Sequence, residues 1–336
     1  MAITKYGDIS PRTAAYAAAE MLKRAQPYLV LQQFAQTKPI PANATQTVKF
    51  RRYEALALAT TPIVEGVTPT GKTLTHIDVP TSLSQFGDFI TLTDVIKDTH
   101  EDAIFKETQM LIGEQAAQTV ETLLFNVLKA GTSVVYANGE LRTDVNTVVD
   151  LGDIRTATRT LKRQNARYLT KRMGSTAAFN SESIAPGFIG FIHPDIEPAL
   201  RNIAGYKDVV DYGSMTPFEF EVGAIEDVRF IRSTVFENWA DSGDAVAGLN
   251  VESTTGTNAD VYPIIIISAD AFATVPLKGN NAITPMVLNP GIPREGDPMG
   301  QRGYVSWKTY WAGLILNQNW MVRIETAAPN QAGLAV

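Results

Sequence analysis

Residues 101–130 read EDAIFKETQMLIGEQAAQTVETLLFNVLKA, and this stretch decides the fold. Ile104, Leu111, Ala116, Val120, Leu123, Leu124, Val127 and Leu128 recur at helical spacing and gather on one apolar face. Asp98 or Thr99 suits an N-cap, and Glu101 and Asp102 complement the positive helix end. Gly131 is a stop. At a rise of 1.5 Å per residue the helix is a rod roughly 45 Å long. Few compact enzymes need such a rod, so its surroundings matter.

On its N-terminal side the chain reads as strand, turn-rich stretch, strand, strand. Thr45–Tyr53 alternates Val48 and Phe50 against Lys49 and Arg51. Pro62, Gly66, Pro69 and Gly71 break the chain before Thr73–Val79 alternates again, and Phe86–Thr93 forms the next strand. The first two strands predict a long hairpin. It has too few large apolar residues to hold itself together in water, so it needs another surface to lie on. Before it, Pro11–Gln26 reads as an Ala-rich helix within an extended arm over 1–44.

Beyond the rod, Asp150–Arg172 reads as a second helix. Arg155, Arg159, Arg163, Arg167 and Lys171 recur every fourth residue, with Lys162 and Arg172 beside them. Such a basic stripe suits DNA or an acidic neighbour, or simply a solvated face. Phe188–His193 predicts a strand, Pro194–Ile203 a short helix and Glu221–Arg232 a strand. Asp241–Asp260 predicts an exposed loop, and Tyr262–Ser268 a buried strand around the isoleucines 264–267. Leu277–Gly303 is dense in Pro and Gly, and Tyr304–Glu325 predicts two antiparallel strands packed on the rod. The fold class is α+β, without an internal repeat.

Composition narrows the function. Across 336 residues, 45% are hydrophobic and 19% charged, as in folded domains. The absence of cysteine removes disulfides, thiolate metal sites and cysteine nucleophiles, and fits a reducing cytoplasm. Met1–Ser10 does not read as a signal peptide, and no apolar run reaches membrane length. Lys and Arg number 29 against 35 Asp and Glu, a net charge of -6. A dedicated nucleic-acid binder carries the opposite excess, so if a chain like this meets DNA, it contains it rather than grips it.

Three motifs invite a chemical reading. Gly66–Thr73 matches G-x-x-x-x-G-K-[ST], the phosphate-binding loop, with Asp270 after an apolar strand as a metal-binding acid. That loop must open a helix, whereas Leu74–Val79 alternates like a strand, Pro80 follows, and Pro69 removes an amide. His193-Pro194-Asp195 fits a strand-to-helix turn better than a metal site, and Asp94, Asp98, His100, Glu101 and Asp102 crowd at a helix start. Glu219 and Glu221 cannot be assigned as an acid–base pair. Trp307, Tyr310 and Trp311 beside Lys308 suit a strand packed on the core better than base stacking. No residue is assigned a catalytic, cofactor-binding or metal-binding role.

The order of parts resembles the major capsid proteins of tailed bacteriophages, the Hong Kong ninety-seven type, and most closely the N-four-like phages. The likeness rests on Val48-Lys-Phe-Arg-Arg-Tyr53-Glu, Glu65-Gly66-Val-Thr-Pro69, Gln85-Phe-Gly87-Asp, the run 297–308 from Asp297 to Lys308, and Arg323-Ile-Glu325. The resemblance implies a self-assembling subunit, and no enzyme, of the icosahedral head around double-stranded DNA. Its parts would be an N-terminal arm (1–44), an extended hairpin (45–85) and a peripheral domain (86–186) with the spine helix 101–130. An axial domain (187–268) and return strands of the peripheral domain (269–336) would follow. It further implies hexamers and pentamers of one chain, scaffold, portal and decoration partners, assembly in the host cytoplasm, and neither cofactor nor membrane. Some relatives cross-link neighbours through lysine and asparagine. Lys72 and Asn280 or Asn281 have the right types, yet no cross-link is expected here. A nanocompartment shell, a phage tail or decoration protein, and a nucleotide hydrolase at Gly66–Thr73 are the competing readings.

Overall fold

A computed structural model describes residues 30–41, 45–99, 104–171, 185–212, 217–277 and 286–330. The expected helix at Pro11–Gln26, together with His100, Glu101, Asp102, Arg172, Asn280 and Asn281, lies outside them.

The chain begins with a 3-10 turn, Leu31–Phe34, and a short strand β1 (Gln36–Thr37). Strands β2 (Thr47–Tyr53) and β3 (His76–Ser82) follow, then β4 (Ser84–Thr93), helix α1 (Asp94–Thr99) and helix α2 (Ile104–Lys129). Next come β5 (Val134–Tyr136), α3 (Leu151–Arg163), β6 (Phe188–Ile192), α4 (Glu197–Arg201), β7 (Tyr206–Asp208), β8 (Glu221–Ile225) and β9 (Val228–Arg232). The chain ends with β10 (Val261–Ile267), β11 (Phe272–Pro276), β12 (Met286–Leu288), β13 (Arg302–Ile315) and β14 (Met321–Ala327).

These strands make three sheets. One orders β1-β11-β13-β12 with β4 on the other side of β13; the second orders β5-β14-β10-β6-β9-β8-β7; the third is the hairpin β2-β3. Tyr304–Glu325 therefore yields two strands that do not pair. β13 is the centre of the five-stranded sheet, and β14 crosses into the seven-stranded one. Segments 86–186 and 269–336 each feed both large sheets.

The seven-stranded sheet explains the isoleucine run. Every residue of β10 is buried. Side chains alternate along a strand, so Ile264 and Ile266 join one core with Ile154, Ala157 and Leu161 of α3. Ile265 and Ile267 join the other, with Leu124, Phe125 and Leu128 of α2. A sheet covered on both faces has no place for alternation between polar and apolar.

The rod is as expected in kind and differs in detail. Its buried row is Ile112, Ala116, Val120, Leu124 and Leu128, with Phe125 beside it, while Leu111 is 43% exposed. Its first half packs on Leu92, Val305 and Trp307, and its second half on the seven-stranded sheet. One helix thus joins both sheets. Asp98 and Thr99 belong to α1, whose first residue Asp94 accepts the Val95 N–H at 2.9 Å, and residues 100–103 between α1 and α2 lie outside the described ones.

α3 also departs from expectation, ending at Arg163 rather than Arg172. Asn165 takes a left-handed φ of 52°. The N–H groups of Ala166 and Asn165 turn back to the carbonyls of Leu161 and Lys162. This is a Schellman stop with asparagine in the usual glycine place. At the other end, Asp150 accepts the Asp153 N–H at 2.8 Å and Asp153 accepts the Asp150 N–H at 3.0 Å. Asp150→Ala is expected to lower stability by about 1 kcal/mol in urea unfolding, and a change below about 0.3 kcal/mol would deny the cap its role.

Glu221–Arg232 is a hairpin rather than one strand. It turns at Glu226, whose φ is 48°, and Asp227, without a glycine to announce it. Asp241–Asp260 is a loop as expected, but a pinned one. Asp260 accepts the N–H groups of Asp241 and Thr254, and Asp241 accepts Thr255 N–H and Oγ1.

Candidate assembly surfaces

The hairpin divides into a packed base and an uncovered tip. β2 and β3 pair from Thr47↔Ser82 to Tyr53↔His76. Phe50 is buried, and Val48 and Val79 pack with it against Ile40, Val275, Ala312 and Leu314 of the five-stranded sheet. The base therefore finds the surface it needs on its own chain. Arg51 and Asp78 face each other across the strands, Nε to Oδ1 at 2.7 Å, which holds the Asp78 carboxyl below its usual range.

Beyond that pair, residues 54–75 contain neither helix nor strand and are exposed throughout. Leu58 is 87% exposed, Ile63 77%, Val64 65% and Leu74 62%. Apolar groups gathered on one projecting segment mark a contact surface, because burying them elsewhere is favourable by about 25 cal/mol per Å².

The tip contains the Gly66–Thr73 motif. No helix follows it, so the amide cradle and helix dipole that hold phosphate are missing. Gly66 serves a turn with φ 79°, and Lys72 donates to the Ala57 carbonyl at 2.6 Å.

The basic stripe is broken by the early end of α3. Arg155 pairs with Glu226, Nε to Oε1 at 2.8 Å, and Lys162 pairs with Asp227. Arg159 and Arg163 are exposed without an ion pair among the described residues. Arg167 and Lys171 lie in the following segment, off the helix.

The remaining candidates are structural joints. His193 is the N-cap of the turn at Pro194, its Nδ1 accepting the Asp195 N–H at 3.3 Å, and burial pushes its pKa down. Asp195 also accepts the Tyr262 hydroxyl at 2.9 Å. The Glu221 side chain is fully buried and saturated by Arg229 Nε at 2.7 Å, the Tyr212 hydroxyl at 2.7 Å and the Phe218 N–H at 2.8 Å. Glu219 is exposed and apart from it. Trp307 and Trp311 are buried on β13, and Trp307 donates to Gln115 of α2 at 3.2 Å, while Lys308 points outward. Among the described residues no three His, Asp or Glu are placed to hold a metal, and no helix is long and apolar enough to cross a membrane.

Two buried acids stand out that composition and motifs assign no role. Glu325 is buried between two arginines, accepting Arg142 Nε at 2.7 Å and Arg323 Nε at 2.8 Å. Arg142 in turn lies 3.6 Å from the centre of the Trp239 ring. Glu121, on the apolar face of α2, accepts two backbone N–H groups from residues 30 and 31. An acid inside an apolar row is the signal that exposes Glu121, and Arg-x-Glu on a buried strand exposes the other.

Comparison with known proteins agrees with this arrangement. A family model described as "Phage capsid protein" matches residues 77–291. The major capsid protein of Pseudomonas phage KPP21 is 22% identical over 267 residues, covering 73% of this chain and 66% of its own length, just under two thirds. The capsid of Ralstonia phage GP4 superimposes with a TM-score of 0.69 at 12% identity, over 98% of this chain and 99% of that one. The encapsulin of Synechococcus elongatus PCC 7942 gives 0.55 at 11% identity, over 98% and 97%.

Proposed function

The chain belongs to the phage capsid protein family and has the Hong Kong ninety-seven type fold, and from that premise we propose that it is the major shell subunit of a tailed phage head. The observation that carries the reading is the uncovered apolar tip at 54–75. Copies of one chain associate as hexamers and pentamers, each tip lying on a neighbour, and many modest contacts per subunit sum to a stable shell. The net charge of -6 keeps the wall from adhering to the genome it encloses. Scaffold, portal and decoration proteins, and assembly in the host cytoplasm, belong to the same proposal.

The parts divide by role. The arm is 1–44 and the extended loop 45–85. The peripheral part takes 86–186 with its rod and the return strands of 269–336. The axial part is 187–268, which supplies five of the seven strands of the larger sheet. N-four-like phages are the branch that the sequence stretches favour.

Electron microscopy of the purified chain tests the proposal. Closed icosahedral particles are expected, and particles from infected cells hold nuclease-protected double-stranded DNA. Shells that enclose protein and never DNA would instead support a nanocompartment, whose fold this chain shares. A chain that stays monomeric at high concentration, or forms tubes, refutes the shell reading.

A further inference from the structure

Residues 30–40 run as a strap across the body before the hairpin begins. Val30 and Leu31 are buried against Val120, Leu124 and Leu128 of α2. Further on, β1 pairs with β11 at Gln36↔Ala273, and the Ile40 N–H reaches the Pro276 carbonyl at 3.0 Å. The turn Leu31–Phe34 has no cap of its own, since its N-cap residue is Val30. Its cap comes from 90 residues away. Glu121 Oε1 accepts the Val30 N–H at 3.1 Å and the Leu31 N–H at 2.8 Å.

Glu121 is 1% exposed, and its second oxygen, Oε2, is buried with no hydrogen-bond partner among the described residues. That arrangement costs a neutral carboxyl, which leaves one buried O–H unpaired, less than a carboxylate, which leaves a buried charge half-paired. A neutral group still accepts both amides on Oε1 and holds its proton on Oε2. An ionised group puts a buried charge on a head with one bare oxygen.

We infer that Glu121 is a proton-operated latch: protonated, it seats the strap 30–34 on α2, and ionised, it lets the strap lift. Burial is the largest influence on this carboxyl and pushes it up to about 7, and the amides of Leu31 and Val30 pull the other way. Among the described residues, no charged side chain on the strap, on α2 or on the sheets packed against them contributes. With the strap lifted, the carboxyl returns toward its ordinary 4.5. Seating therefore takes up a proton between those two values. It tightens as pH falls through about 7, levels off near 4.5, and is weakest above 7. Glu121 acts as a positioning residue for the segment that feeds arm and hairpin. The inference concerns the single chain and stands apart from the shell reading.

Hydrogen exchange with mass spectrometry on the full chain tests it, from pH 5.5 to 8.5, with rates corrected for intrinsic exchange. Protection of the amides at 30–35 is expected to fall by up to about tenfold per pH unit up to 7 and then stay flat. Glu121→Gln, of the same size and permanently neutral, should keep that protection high and level. A flat wild-type profile overturns the latch and needs no variant. So does a slope that survives in Glu121→Gln. A slope shared by the core strand 188–192 also overturns it, since the whole chain would then be loosening.

Discussion

Replacing residues 55–74 with a short Gly-Ser turn is expected to leave a chain that folds and builds no closed shell. The tip buries nothing in its own chain, so its loss removes no core contact. Shortening a loop even slightly favours the folded state, by about 0.6 kcal/mol for each halving of its length. The melting temperature should therefore move by a few degrees at most. Assembly should fail outright, seen as loss of the fast-sedimenting species and of particles under the electron microscope. A gentler form is Leu58→Asp with Ile63→Asp, which keeps the backbone and places two charges where apolar contact is required. Normal shells from either variant would remove the tip from the assembly mechanism. A large drop in melting temperature would show instead that the tip belongs to the chain's own core.

The stretches that carried the family likeness turn out to sit at mechanical joints, which is why so few residues were enough. Gln85–Asp88 and the run 297–308 meet in space: β4 and β13 pair with Gly87 opposite Lys308 and Asp88 opposite Trp307. A Cβ on Gly87 would stand 2.6 Å from the Trp307 carbonyl oxygen, so only glycine allows that approach. Asp297 shapes the turn before β13 by accepting the N–H groups of Gln301 and Arg302 at 3.1 and 2.9 Å. Glu65-Gly66 makes the turn in the tip. The rod and the buried isoleucine strand were legible for a different reason, since each announces its surroundings through periodicity.

What stayed hidden was whatever depended on distant partners or on turns without glycine. Asn165 stops α3 and Glu226 turns β8 into β9 in left-handed conformations that glycine would have advertised. Nothing local says that β13 and β14, five residues apart, enter different sheets. The hairpin's split into packed base and bare tip depends on Phe50 meeting strands some 225 to 264 residues later in the chain, such as Val275 and Leu314. Glu121 and Glu325 acquire their meaning only through partners at 30–31 and 142, which no spacing rule connects.

Glu325→Ala is expected to be the most destabilising single substitution in the body, by about 3–5 kcal/mol in chemical unfolding. The cost comes from what the substitution leaves behind. Arg323 and Glu325 are two residues apart on β14, so they share one face, while Val322 and Ile324 fill the core on the other. Arg323 is 6% exposed, and its guanidinium also donates to the carbonyls of Lys129 and Gly131 at the end of α2. A cation there satisfies orphan carbonyls and complements the negative helix end. Without Glu325 that charge stays buried with no anion to match it, and Arg142 loses the partner that sets it over Trp239. The pair is thus a pin joining the rod, strand β14 and the 142 loop. Glu325→Gln keeps the shape and one acceptor oxygen for the arginines without the charge, and should cost distinctly less than alanine. If alanine and glutamine cost the same, shape alone matters at this position. If both cost under about 1 kcal/mol, the buried charge is compensated elsewhere and the pin carries no strain of the fold.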